Sequence, residues 1–589
     1  MHVQALVKYK FYDFVVNELF NGVPVDLTEP APVFPEFQRT IDFFDASHKQ
    51  SVQHDMSPLS TFTALPEDIL TKLTTFLQEA KPNSKFEFSV PNASKEIRTS
   101  FHQFFKTLNN PLLESRTGGQ NFDLIQLSFH AKMQFPQPSD KARFWNAVLL
   151  KQNIDTMQAI DLICNSMRFQ KLQNKNINYC GTKDQRGVTQ QVVQFPGYIF
   201  PEAICQNLPN NIKIGSFTHA HTQIGLGSHE GNQFIVCLRA LGLKKCTSID
   251  KAEFIANNLQ QIVNIGLLNK FGTQRFGSGV IKTDLMGQAL SQGRMRLFVK
   301  MLAVNDHGIK NGLTEEQTAF FTKYFATIMA DNKIEVLEGE QESTFMKYYD
   351  EIKEYVVKNN RPFQLSKVLQ ILKKPVMEET NESITNAISQ AMPINSRTFY
   401  FHAFQSRIFN QLCDEINTID PQNLLSNKYG SVTQVKTTPY TSADLCLPLI
   451  GFNTLKELSP VSQFWVEKCQ NIMNGLGIEN IDGKYRDIFA PGSFRKVYTQ
   501  VKNMQFAVKA HEELDQQIVK TKFDNNEMEE LVFSTDFESI KQFKTETEQY
   551  ISIVLKFELD SSCYATEVMA AVLGEGYDKE QQQGYVNDM

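Results

Sequence analysis

The stretch Asn178-Tyr-Cys-Gly-Thr-Lys-Asp-Gln-Arg-Gly-Val-Thr-Gln-Gln191 decides how the rest of this sequence is read. A short apolar lead-in breaks at Gly181, a charged tip Lys183-Asp184-Gln185-Arg186 follows, and a β-branched run continues to Val193. Glycine at the turn with β-branched residues beyond it predicts strand, loop, strand. One carboxylate, Asp184, then sits at a loop tip between two cations. Taken alone, a Lys-Asp-x-Arg tip is a solvated charged turn. The gapped string Gly-Thr-Lys-Asp-x-Arg-Gly-Val-Thr-x-Gln is far more restrictive.

Upstream, Phe122–Phe129 and Phe144–Leu150 read as strands. The run Lys151-Gln-Asn-Ile-Asp-Thr-Met157 opens a helix with Asn153 or Asp155 as N-cap and Ile160, Ile163 and Met167 as its apolar stripe, ending near Asn174. Strand, helix and strand-loop make a compact α/β unit that delivers the chain to Asp184. Downstream, Val192–Ile199 reads as strand and Pro201–Asn207 as helix. Gly231-Asn232 marks a tight turn before a strand that alternates through Phe234, Val236 and Leu238 to Arg239.

The second informative stretch is Gly266-Leu-Leu-Asn-Lys-Phe-Gly-Thr-Gln-Arg-Phe-Gly277. An amide, an aromatic ring, a glutamine and an arginine crowd into one glycine-rich loop, which is what a nucleotide pocket needs. Phe271 offers a π-face to a base, Asn269 and Gln274 offer hydrogen bonds, and Arg275 can meet a phosphate.

Composition bounds the possibilities. A chain of 589 residues exceeds one core, so two or three domains are expected. Hydrophobic content of 41% and charged content of 21% fit a soluble globular protein. With 59 basic against 65 acidic residues the net charge is −6, which argues against a generally basic nucleic-acid coat, so any nucleic-acid binding has to come from a local basic cleft. The nine cysteines include no Cys-x-x-Cys pair, which argues against a zinc site or a secreted disulfide framework and for reduced intracellular thiols. No secretory signal and no 18-residue apolar run is present, so a soluble nuclear or cytoplasmic protein with no membrane partner is expected.

In chain order, Tyr12-Asp-Phe-Val-Val-Asn-Glu18 reads as a first strand. Thr28–Ser60 reads as a poorly structured insertion, and Pro66–Leu77 and Asn92–Leu108 as helices. Beyond Gly287 long helices dominate, with Thr314-Glu-Glu-Gln317 as a capping box. His402, Gln405 and Asn410 lie on a helix in a packing or RNA-facing role. The acidic run Glu512–Thr547 is expected to loop outward. Ile551–Leu559 alternates as a half-buried strand that would return to the sheet begun before Asp184.

These stretches, in this order, resemble the TruD family of RNA pseudouridine synthases. The resemblance is carried by the Asp184 string, by Asp13-Phe-x-Val-x-Glu18, and by Gly231-Asn232-x-Phe234 through Leu238-Arg239. Asn269, Phe271, Gly272, Gln274, Arg275, Phe276 and Gly277, then His402-Ala-x-Gln-Ser through Asn410, and Tyr564-Ala-Thr566 complete it. Asp444–Gly451 and Tyr485-Arg486 resemble family positions too. Lys270 departs, because an aromatic is usual there, and Asp560-Ser-Ser562 replaces a Pro-Gly pattern. The Arg98–Thr117 region is closer to the eukaryotic branch, the pseudouridine synthase seven type.

The resemblance implies an α/β (α+β) fold. A pseudouridine synthase catalytic domain with a mixed, mainly antiparallel sheet would span 1–280 and 546–589, interrupted by an N-terminal insertion at 28–118. Residues 281–545 would form an α/β insertion domain. It implies isomerisation of uridine to pseudouridine in tRNA, and in small nuclear or messenger RNA, by a monomer without metal or cofactor. Asp184 matches the catalytic carboxylate. Lys183, Arg186, Asn269, Phe271, Gln274 and Arg275 would bind substrate, with Lys183 or Arg186 keeping Asp184 ionised. The carboxylate could add to ribose C1′ or remove the C2′ proton. The competing expectation is a catalytically inactive RNA-binding or RNA-chaperone relative.

Overall fold

Alternating apolar residues become sheet and three-to-four-spaced ones become helix in the computed structural model, much as their periodicities dictate. The structure describes residues 2–34, 65–79, 84–90, 94–108, 113–119, 124–129, 143–167, 172–241, 249–277, 279–311, 313–330, 339–358, 368, 380–427, 432–435, 442–478, 490–524, 528–542 and 549–574. Most of the expected irregular stretch Thr28–Ser60, and the Tyr485-Arg486 match, lie outside them. The chain forms two compact units, one of residues 7–237 and 515–531, the other of 1–6, 238–514 and 532–589. The expected boundary at 280/281 falls inside the second.

The unit that carries Asp184 is built on five strands in the order Ile212–Ala220, Phe144–Gln152, Val188–Pro196, Phe14–Phe20 and Gly231–Arg239. Neighbours pair antiparallel except Phe14–Phe20 and Val188–Pro196, which run parallel with Val15 opposite Val188 and Asn17 opposite Gln190. Every residue of Val188–Pro196 is buried, as expected of a central strand. Three of them are glutamines, whose amides would be costly if left unmet. Each instead ties down a loop or a neighbouring strand. Gln190 bonds Asn17, Asp26 and the Leu27 amide; Gln191 bonds the Gly181 carbonyl; Gln194 bonds Asn146 and the Thr222 carbonyl. Beneath the sheet lies a core of Trp145, Leu149, Ile160, Ile163, Val193 and Phe195.

The turn expected at Gly231-Asn232 is strand instead, with both residues paired opposite Leu19 and Glu18. Pairing to the Phe14 strand overrides the local preference of Gly-Asn. Within this unit the insertion has its own core. Helices Glu67–Glu79 and Lys95–Thr107 cover a three-stranded sheet, and Phe101, Phe104, Phe105 and Leu108 pack against Leu73, Phe88, Ile125 and Leu127.

The other unit is mainly helical. Its core runs from Ile281 to Val497 and includes the helices Thr283–Ser291, Met295–Asn311, Glu315–Ala330 and Ile394–Asp414. Thr314 and Gln317 exchange the two hydrogen bonds of the expected capping box. A four-stranded sheet includes Leu445–Leu449 and Ser493–Lys496, and Lys502–His511 pairs antiparallel with Tyr550–Asp560. The run Glu512–Thr547 does not simply loop outward. Ile518, Val519, Phe537 and Ile540 are buried, and Lys522 forms an ion pair with Asp26. Among the described residues no helix is long and apolar enough to cross a membrane.

Candidate active site

The loop that presents Asp184 is held from below at the Lys183 amide and at the carbonyls of Gly181, Lys183, Asp184 and Gly187. Asp155 caps the helix Thr156–Ser166 by accepting from the Gln158 amide, which places Thr156 at the helix start. The Thr156 hydroxyl then accepts from the Lys183 amide at 2.9 Å and donates to Gln191, whose own amide reaches back to Gly181. At the far end the Asn153 amide donates to the Gly187 carbonyl at 3.0 Å. Gly187 has to be glycine because a Cβ there would stand 2.7 Å from the Phe14 carbonyl oxygen. Any side chain would push the loop off the Phe14 strand.

The cations at the tip divide in a way their sequence neighbourhood does not reveal. The Lys183 side chain is buried and forms an ion pair with Glu18 at 2.7 Å. The other oxygen of Glu18 accepts from the Val192 amide at 2.8 Å. Lys183 is therefore an internal anchor, and its expected contact with substrate does not fit a side chain committed to a fully buried carboxylate. Arg186 is exposed and donates to the Tyr9 carbonyl at 2.6 Å. The cation that meets Asp184 is Lys8, whose Nζ lies 2.6 Å from Oδ2 and 3.5 Å from the centroid of the Phe14 ring. Lys8 adopts a left-handed backbone, φ 53°, which turns the chain just ahead of the Phe14 strand. The Asp184 side chain keeps 35% of its surface exposed, and among the described residues no protein donor meets Oδ1. The arrangement is a carboxylate with one oxygen neutralised and the other open.

The Phe271 loop, in the other unit, is held just as firmly. The Phe271 amide donates to the Asn410 side chain at 2.8 Å, and the Asn410 amide donates back to the Phe271 carbonyl at 2.9 Å. The half-buried ring meets Phe409 edge-on and packs against Tyr564, and the Arg495 guanidinium carbon lies 4.1 Å from its centroid. Gly272 permits this packing, because a Cβ would meet the Thr566 hydroxyl at 2.3 Å. Arg275 stands 5.9 Å from the same ring and donates to Ser406. Gln274 is exposed.

Asn269 is buried, and its side chain bonds inward. Oδ1 accepts from Arg495 at 2.7 Å and Nδ2 donates to the Lys496 carbonyl at 3.2 Å, which leaves one hydrogen and one lone pair on the amide. Lys270, where the resemblance calls for an aromatic, forms an ion pair with Asp414. Gln405 bonds the Ile450 carbonyl and His402, and burial lowers the pKa of that imidazole.

The family described as tRNA pseudouridine synthase D (TruD) matches residues 128–423. This chain belongs to that family. It is an RNA pseudouridine synthase, an isomerase. The Bos taurus protein named pseudouridylate synthase 7 homolog is 25% identical over 97% of this chain and 78% of its own length. The multisubstrate pseudouridine synthase 7 of Schizosaccharomyces pombe is 22% identical over 97% of this chain and 88% of its own. A crystal structure described as a putative tRNA pseudouridine synthase D from Methanosarcina mazei covers 74% of this chain and 89% of its own, at 17% identity and a TM-score of 0.44.

Sequence reasoning about this synthase missed Lys8 and Lys151. Lys8 lies five residues before Asp13 of the first strand, close enough to that match to have been noticed. Lys151 left no local signal, since it acts on the backbone of the Asp184 loop, far along the chain.

Proposed function

We propose that this synthase isomerises uridine in tRNA, and in further RNA classes including small nuclear and messenger RNA, with Asp184 as its catalytic carboxylate. The observation that carries this reading is the asymmetry of Asp184, with Lys8 on Oδ2 and Oδ1 open to a sugar. A carboxylate can act on the ribose, by addition at C1′ or by removing the C2′ proton, only while ionised. A lysine at contact distance places a positive charge beside it and fixes one of its oxygens. The breadth of substrate is supported by the tRNA in the family description and by the word multisubstrate in the name of the yeast relative.

The freed uracil has to turn and rebond through C5 without escaping. Phe271 suits stacking on an RNA base, since the protein sets its backbone through Asn410 and leaves part of the residue uncovered. Base stacking on an aromatic ring is worth about 1–3 kcal/mol. Arg275 and Arg186 are the side chains of the expected set placed to meet phosphate. Asn269 contributes chiefly by shaping the loop around Arg495.

Asp184→Asn is the decisive variant. It keeps the shape of the side chain and removes its charge. Turnover on transcribed tRNA, read by carbodiimide derivatisation because the product has the mass of the substrate, is expected to vanish. RNA affinity should stay within about threefold, since the lost carboxylate carries no phosphate contact. An Asp184→Asn enzyme that still forms pseudouridine would remove Asp184 from the role.

A further inference from the structure

Beneath the Asp184 loop lies a lysine that the reaction described above does not use. Lys151, on the strand Phe144–Gln152, is fully buried. Its Nζ donates to the carbonyls of Ile154 at 2.7 Å, Asp184 at 2.8 Å and Lys183 at 3.3 Å. No carboxylate lies within ion-pair distance of it among the described residues. A buried cation without a carboxylate at contact distance is a costly thing to keep, and an apolar residue of similar volume would often serve stability better. What the ammonium provides is geometry: three donors, one for each of three carbonyl oxygens. Two of those oxygens flank the peptide links on either side of the Asp184 Cα, so the contact fixes the backbone from which the carboxylate projects.

We propose that Lys151 is a positioning residue of the isomerisation, its ammonium holding the Lys183 and Asp184 carbonyls inward and so aiming the Asp184 carboxylate. The assignment rests on Asp184 being the catalytic carboxylate. A neutral amine has two N–H donors and a lone pair, and would turn that lone pair towards one of the three oxygens, so losing the proton loosens the loop. Burial pushes the Lys151 pKa down to about 8, against the opposing pull of the Asp184 and Asp155 carboxylates and with a small assist from Lys183. The other titratable and charged groups around the loop are Lys8, Glu18, Arg186 and His229: Lys8 holds Asp184, Glu18 holds Lys183, Arg186 bonds Tyr9, and His229, its pKa lowered by burial, stands against Gly181. The positioning effect is therefore present near neutral pH and fades as pH rises past about 8.

The test is single-turnover pseudouridine formation on transcribed tRNA with enzyme in excess, for wild type, Lys151→Met, Lys151→Arg and Asp184→Asn. In Lys151→Met the bound-state rate should fall by about 100-fold or more, the scale of a misplaced reacting group, with RNA affinity within about threefold. Lys151→Arg keeps charge and donors and does not titrate in this range, so it should restore most of the rate and lack the alkaline fall that wild type shows. A folded Lys151→Met enzyme within about fivefold of wild type would overturn the proposal. If Lys151→Met does not fold, the pH profiles decide. Wild type and Lys151→Arg superimposing from about pH 7 to about pH 9.5 overturns it, and their separation supports it. An active Asp184→Asn enzyme would instead sink the reading on which the proposal rests, whatever Lys151 does.

Discussion

Lys8 and Asp184 are 176 positions apart, yet their 2.6 Å contact is the feature on which the proposed chemistry turns. Two other cations stand next to Asp184 in the chain, and neither pairs with it. Lys183 alternates inward to Glu18, and Arg186 reaches the Tyr9 carbonyl. The distinction matters because Lys8 does two things at once. It places a positive charge beside the carboxylate, and it occupies Oδ2 so that, in the proposed reaction, Oδ1 is the oxygen left to react. Lys8→Met keeps the apolar stem over the Phe14 ring and removes the charge. Its single-turnover rate on tRNA should drop by about 10²-fold, the usual scale for one lost electrostatic partner at a reacting group. Melting temperature should move little, since the pair is only partly buried. A Lys8→Met enzyme with wild-type rate would mean that some other group orients Asp184.

The elements around the loop show why such partners stay hidden in a sequence. Asn410 sits in the helix Ile394–Asp414, and its side chain closes two backbone hydrogen bonds on Phe271 that no neighbour of Phe271 could supply. Asn410→Ala leaves an amide and a carbonyl without partners, which costs about 1–3 kcal/mol for each group that stays dry. The expected result is a lower melting temperature together with weaker RNA binding, both measurable on the full chain. Unchanged binding would separate Phe271 from the RNA. The helices and strands themselves were legible because their cause is local. Asp155 as N-cap, the Phe101-Phe104-Phe105-Leu108 stripe and the alternation of Ile551–Leu559 each follow from spacing alone. Where the cause is distant the reading failed. Gly231-Asn232 looked like a turn until pairing with Leu19 and Glu18 made it strand. Glu512–Thr547 looked solvated because polar residues outnumber the few, Ile518, Val519, Phe537 and Ile540, that anchor it. The same holds for Lys151, whose hydrogen bonds run to backbone carbonyls and therefore leave no complementary residue type to search for.

The molecule as a whole carries a net charge of −6 and has to hold a polyanion. Its average field repels RNA, so affinity has to arise from short-range contacts of individual cations with phosphates, for which Arg186 and Arg275 are the proposed side chains. Chemistry and binding should then respond differently to salt. Each phosphate contact on a single-stranded segment contributes about −0.7 to the slope of log affinity against log salt concentration. The Lys8–Asp184 pair, at 2.6 Å and with Lys8 only 15% exposed, is far closer than the Debye length of about 8 Å at physiological ionic strength, and salt screens it little. Titrating salt from about 50 to about 200 mM is therefore expected to weaken tRNA binding steeply while leaving the single-turnover rate of the saturated complex within about twofold. Arg275→Ala and Arg186→Ala should each make the slope shallower by about 0.7 if that side chain meets a phosphate. A slope that neither variant changes would assign the phosphate contacts to other cations. A saturated rate that falls with salt as steeply as affinity does would mean that the Asp184 site is wet and screened, against a reaction in which the protein alone sets the charge beside the sugar.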